Sequence, residues 1–182
     1  MTTPAAARPG PASSRTTPPP GAAVPEPSAD AVDLRIEDPM LAEYDGCFGC
    51  GDQASDGIRL KRTGYDGSAV DSEFLVAEAH QGAPGLAHGG VLAAALDEAL
   101  GTSAWTLGRR YVTGRLETDY LAPVPVGSTV HLRTWCTGVE GRKAYFEGEG
   151  RIGGPDGPLA VRAAALFIEV PPEHFTRNGG QV

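Results

Sequence analysis

The sequence predicts an α+β fold, an antiparallel sheet of about six strands wrapped around one central buried helix. Three observations predict it. Residues Val91 to Trp105 are apolar on nearly every face except at Asp97 and Glu98, which is the pattern of a helix enclosed by the rest of its domain. Two strand candidates precede this helix and four follow it. The connections between those strands are short and rich in Gly and Pro, as in antiparallel pairs, whereas parallel strands need long crossovers.

The elements follow in order. Eight of the sixteen prolines fall before residue 28, in a stretch of Ala, Pro, Thr and Ser too poor in bulky apolar residues to offset its ordering entropy. Residues 1–30 are therefore expected to be a disordered tail, 31–172 the folded domain and 173–182 a flexible C-terminal tail. A short helix or turn is expected from Asp33 to Tyr44, before Cys47-Phe48-Gly49-Cys50-Gly51 opens the compact part. Ile58 to Thr63 and Ser68 to Phe74 alternate in character around Gly64 and Gly67 and read as a hairpin. After the cluster at Gly82 to Gly85 comes the helix, and after it strands at Tyr111 to Leu121, Thr129 to Cys136, Ala144 to Arg151 and Leu159 to Val170. The turn chemistry between them lies at Pro123 to Gly127, Gly138 to Gly141 and Gly153 to Gly157. A sheet curled around one central helix in this order is the hotdog layout.

Composition narrows the function. A chain of 182 residues builds one core of ordinary size. Its formal net charge of -8 with scattered basic residues lacks the footprint of a nucleic-acid binder. An anionic ligand is still admissible where a few Arg or Lys gather or a helix N-terminus points at it. Three cysteines make no secreted disulfide framework, and no stretch reaches the ~20 apolar residues of a membrane span or has the form of a signal peptide. The reading is a cytoplasmic protein with no membrane partner.

The chemistry is expected around the helix. His88-Gly89-Gly90 stands at its start, where backbone N–H groups have no partner inside the helix and are free to hold an oxygen gaining negative charge. A plain glycine-rich turn into a crowded core is the alternative. Asp97 lies seven residues beyond Gly90, on roughly the same face and about 10 Å further along the axis. One subunit therefore cannot bring both groups to a single carbonyl, and their cooperation implies a dimer with its site on the interface. A carboxylate in an otherwise apolar helix also needs a partner, either a structural one or a catalytic use. On the following strand strict alternation puts Thr113, Arg115, Glu117 and Asp119 on one face, and Val112, Leu116 and Tyr120 on the face covering the helix.

These residues jointly resemble the PaaI-type acyl-CoA thioesterases, and within them the branch of thioesterase superfamily members 4 and 5. The resemblance covers about residues 44–172. It rests on Cys47-Phe48-Gly49-Cys50-Gly51, Gly57-Ile58, the run from Gln81 to Val91, Asp97-Glu98, Thr113, and Tyr120 to Pro125. It implies a hotdog fold and a homodimer or dimer of dimers acting on an acyl-CoA or acyl-carrier-protein thioester without a cofactor. By it, Asp97 is the catalytic carboxylate, Gly89 the amide that polarises the thioester carbonyl, Thr113 the hydroxyl assisting the attacking water, and His88 the histidine shaping the site. The family pattern has an Asn about fifteen residues before the aspartate, where this chain has Gly82. Its role is expected to pass to His88.

Gly90, Gly82, Arg142 and Lys143 complete the candidate set as substrate-binding residues, the last two as partners for nucleotide phosphates, although solvated surface charge is an equal alternative. No metal ligand is expected. Cys47 and Cys50 have the spacing of half a zinc site, but no second pair supplies the rest, so a structural turn is preferred. His80, His131 and His174 lack partners at catalytic spacing, and His131 is expected exposed or interfacial. Glu98 points about 100° away from Asp97 and is expected in an ion pair or interface contact. Two other functions stay open: a hotdog protein that binds an acyl thioester without hydrolysing it, and a dehydratase.

Overall fold

The computed structural model describes residues 14–26 and 44–177. Within them six strands form one antiparallel sheet: β1 (Lys61–Tyr65), β2 (Ala69–Leu75), β3 (Tyr111–Tyr120), β4 (Thr129–Glu140), β5 (Lys143–Ile152) and β6 (Leu159–Glu169). Their order is β1-β2-β4-β5-β6-β3, which leaves β1 and β3 as the edges. Helix α1 (Gly89–Ala104) lies across the concave face in contact with β2 through β6, and a short helix α2 (Glu173–Arg177) ends the described chain. This is the expected hotdog architecture.

The helix forms where a cap and an apolar stripe coincide. His88, extended at φ -69°, accepts the Gly90 N–H on Nδ1, so α1 starts two residues before the apolar run does. Leu92, Ala95, Leu96, Ala99 and Leu100 are buried against Leu132, Phe146, Ala165 and Phe167. Each such leucine contributes roughly 1.5–3 kcal/mol of apolar burial. Two buried hydroxyls add a polar tie: Thr134 Oγ1 on β4 donates to the Ala99 carbonyl at 3.1 Å and stands 2.6 Å from Ser103 Oγ. The helix is nevertheless not enclosed on all sides. Ala93, Ala94, Asp97, Glu98 and Gly101 are only half-buried, and Asp97 lies on the part of this stripe nearest edge strand β3.

Several boundaries differ from the sequence reading for identifiable reasons. Ile58 and Leu60 are buried but precede β1, because their amides bond to the carbonyls of Phe48 and Gly49 rather than to a strand. Gly138 pairs with Tyr145 instead of breaking the strand, and Thr137 before it is the bulged residue, so the β4–β5 hairpin extends to Glu140 and Lys143. Residues 14–26, part of the segment expected to be disordered, pack on the sheet: Ala23 pairs with Val139, and the buried Thr16 hydroxyl donates to Glu117 Oε2 at 2.8 Å. The helix expected from Asp33 lies outside the described residues, as do residues 1–13 and 178–182 of the two tails.

Candidate active site

Strand β3 carries the decisive irregularity. Its pairing with β6 shifts register between Thr113 and Arg115, so Gly114 is bulged and the side-chain alternation changes phase there. Thr113 opposes Phe167, Leu116 opposes Ala165 and Tyr120 opposes Val161, all buried partners on the helix side. The expectation that Thr113 shares the outer face with Arg115, Glu117 and Asp119 is thus corrected. Thr113 faces the helix, and its hydroxyl donates to Asp97 Oδ1 at 2.8 Å. Among the described residues Asp97 Oδ2 has no hydrogen-bond donor, so one oxygen is held and the other is left for chemistry.

At the other end of α1 the glycine pair is divided. The Gly90 N–H is taken by His88 Nδ1 at 2.9 Å, whereas the Gly89 N–H has no acceptor among the described residues. Of the two amides expected to be free, only that of Gly89 remains so. Because Nδ1 accepts, the neutral ring carries its proton on Nε2, and the His88 side chain is exposed at the start of the helix. The loop is held from behind: His88 N donates to the His80 carbonyl at 2.8 Å, and the buried His80 ring in turn meets the Gly57 carbonyl and the Ala77 amide. Gly82 is pressed against His88, where a Cβ would stand 2.8 Å from its Cα. Tyr120 was not among the predicted site residues. Its hydroxyl donates to the Gly89 carbonyl at 2.9 Å, fastening the end of β3 to the start of the helix.

Gly89 and Asp97 are eight residues apart on one straight helix, about 12 Å along its axis. The chain thus keeps apart a carboxylate held by Thr113 and the Gly89 amide, which has no acceptor among the described residues. Arg142 and Lys143 are exposed at the β4–β5 turn and the start of β5. The Arg142 guanidinium donates to the Glu169 carbonyl at 3.0 and 3.1 Å, and Arg109 pairs with the Glu169 carboxylate. His131 is buried rather than exposed, with Nε2 3.3 Å from Asp71 Oδ1, and Arg133 also joins Asp71. Among the described residues Glu98 makes no ion pair with a basic side chain, and its carboxylate lies against the thiols of Cys47 and Cys50.

Comparison with known proteins agrees with this architecture. Residues 84–158, which hold α1, β3, β4 and β5, match the family model of the thioesterase superfamily. Over 92 residues the chain is 35% identical to the acyl-coenzyme A thioesterase THEM4 of Xenopus laevis, covering 50% of this chain and 41% of that protein. The chain thus spans about two fifths of the length of that curated relative. A crystal structure of a thioesterase superfamily protein superposes with a TM-score of 0.60 at 30% identity, covering 66% of this chain and 62% of the other. The PaaI protein of the E. coli phenylacetic acid degradation operon superposes with a TM-score of 0.61 over 72% of this chain and 91% of its own. At 14% identity that likeness establishes the hotdog fold alone.

Proposed function

We propose that the protein is a thioesterase that hydrolyses acyl-CoA or a closely related acyl thioester, with Asp97 as the catalytic carboxylate. The observation that carries the reading is the Thr113–Asp97 hydrogen bond, which fixes one carboxylate oxygen and leaves the other without a donor among the described residues, on a half-buried helix face. The similarity to an acyl-coenzyme A thioesterase supports the substrate class.

The 12 Å estimate between Asp97 and the Gly89 amide leads to a dimer in which each site combines Asp97 of one copy with Gly89 and His88 of a second. Strand β3 favours this arrangement, because it is an edge of ten residues whose outer ladder groups are unpaired and which carries Thr113. The thioester carbonyl then lies against the Gly89 N–H at the positive end of the helix, with the His88 Nε2–H beside it. Asp97 Oδ2 takes a proton from water as the water attacks the carbonyl carbon. The oxyanion forms on the Gly89 amide, the C–S bond breaks, and the departing thiolate receives the proton as the acid leaves. Direct attack by the same oxygen would instead form a mixed anhydride that water then opens. A single turnover in ¹⁸O-water that labels the Asp97 carboxylate establishes the second route, with water opening the anhydride at the Asp97 carbon.

The test is thiol release from a panel of short, medium, long-chain and aryl acyl-CoAs. Release by the native protein that collapses in Asp97→Asn supports the reading. Saturable binding with no release from any of them overturns it.

A further inference from the structure

Outside this site the molecule gathers a second set of reactive groups that the proposed hydrolysis does not use. Cys47, Cys50 and Glu98 each offer one ligand atom, and the three atoms lie within 4.8 Å of one another although Glu98 is 51 residues from Cys47 in the chain. We propose that these three side chains form a zinc site, with a fourth, water-filled position, that pins the loop of residues 44–60 onto helix α1.

Three features of the loop and helix support the assignment. The first is spacing: Cys47 Sγ stands 3.8 Å from Glu98 Oε2. A sulfur at about 2.3 Å and an oxygen at about 2.1 Å from a tetrahedral zinc are about 3.6 Å apart, so the cation fits with a shift of a few tenths of an ångström. The second is the turn itself. Gly51 N donates to the Cys47 carbonyl at 2.9 Å, which closes the Cys-x-x-Cys segment so that both thiols point the same way. Gly49 between them is buried, and a Cβ there would overlap the Glu98 carboxylate. Glycine at that position is therefore what admits the third ligand.

The third feature is the chemistry of the set. Two soft thiolates with one hard carboxylate oxygen suit zinc, which accepts both, rather than calcium or magnesium, which take oxygen alone. A divalent ion would bind both cysteines as thiolates and release their protons. The loop has reason to be pinned, since it delivers Ile58 and Leu60 to the core and the Gly57 carbonyl to His80. No catalytic step is assigned to the ion.

The experiment uses the full chain, purified under reducing conditions without chelator and analysed for metal by mass spectrometry. About one zinc per chain is expected, and at least about a tenfold lower content in the Cys47→Ser/Cys50→Ser double variant. Because that variant can fail to fold, the native protein is also stripped with a chelator and titrated with Co²⁺. Thiolate-to-cobalt charge-transfer absorption, with release of protons, is expected at one equivalent. No zinc on the native protein together with no charge-transfer band on adding Co²⁺ overturns the proposal. Retention of zinc by a folded double variant overturns it equally.

Discussion

Asp97 and Glu98 are neighbouring carboxylates on one helix, equally half-buried in this chain, and their surroundings differ in kind. Asp97 turns toward the edge of the sheet, receives one hydroxyl and keeps an oxygen open on an uncovered face. Glu98 turns the other way into a glycine-lined turn and meets two thiols. A rotation of about 100° between successive helix positions is enough to separate a reactive group from an anchoring one. Identity of the residue type therefore says little here, and what approaches each carboxylate from distant sequence decides its use.

The strongest way to break this comparison is Asp97→Asn. The amide keeps an oxygen for Thr113 but removes the base or nucleophile, so thiol release should fall by about 10²–10⁴-fold while the melting temperature stays nearly unchanged. A variant that loses rate and stability together would instead make Asp97 a structural group. Gly89→Pro should cost about 10²–10³-fold in kcat, the usual loss of one oxyanion donor. Proline is tolerated at the first helical position, and His88 already has the extended backbone that must precede it. The two inactive variants then test the shared site. Mixed and re-equilibrated, they should regain about a quarter of native activity, because half of the dimers are mixed and each has one intact site. No recovery despite subunit exchange would place both groups within one chain.

Stability changes sharpen the other half of the comparison. Leu96→Ala removes a fully buried side chain from the helix that carries both carboxylates and should cost about 2–5 kcal/mol, read from urea unfolding. Glu98→Gln should act mainly on stability, by about 1–3 kcal/mol in the metal-loaded protein, seen as a melting temperature lower by several degrees. An unchanged melting temperature would remove Glu98 as an anchor.

The fold was legible because its signals are local. Apolar residues around Val91 to Ala104 and the Gly- and Pro-bearing breaks suffice for a helix and six strands, and His88-Gly89-Gly90 marked the helix start. What escaped the sequence depends on distant partners or on a slip in periodicity. Gly114 and Gly138 read as ordinary strand and turn glycines, yet Gly114 is a bulge that reverses the face on which Thr113 lies, and Gly138 continues β4 just after a bulge at Thr137. Cys47 and Cys50 looked like half of a site because the third group sits on another element, at Glu98. Tyr120, assigned by alternation to the apolar face, does face the helix but uses its hydroxyl on the Gly89 carbonyl. His131 was misjudged because its partner Asp71 comes from β2, across the sheet.

The smallest effect is the most discriminating for Thr113. Valine has nearly its shape and suits a strand, so Thr113→Val keeps the bulge and deletes only the hydroxyl that holds Asp97 Oδ1. If that hydroxyl positions the carboxylate, the loss appears in kcat, by about tenfold, with KM nearly constant, because the bond matters only once the carboxylate engages the reacting atoms. Thr113→Ser restores the donor and should recover most of the rate, although the smaller side chain packs less well. A rise in KM with unchanged kcat would show that Thr113 contacts the substrate in the ground state instead. An equal loss in the serine and valine variants would trace the effect to packing against Phe167 on β6. The serine-to-valine ratio thus separates the hydroxyl from the shape of the strand, which is the distinction that strict alternation along β3 obscured.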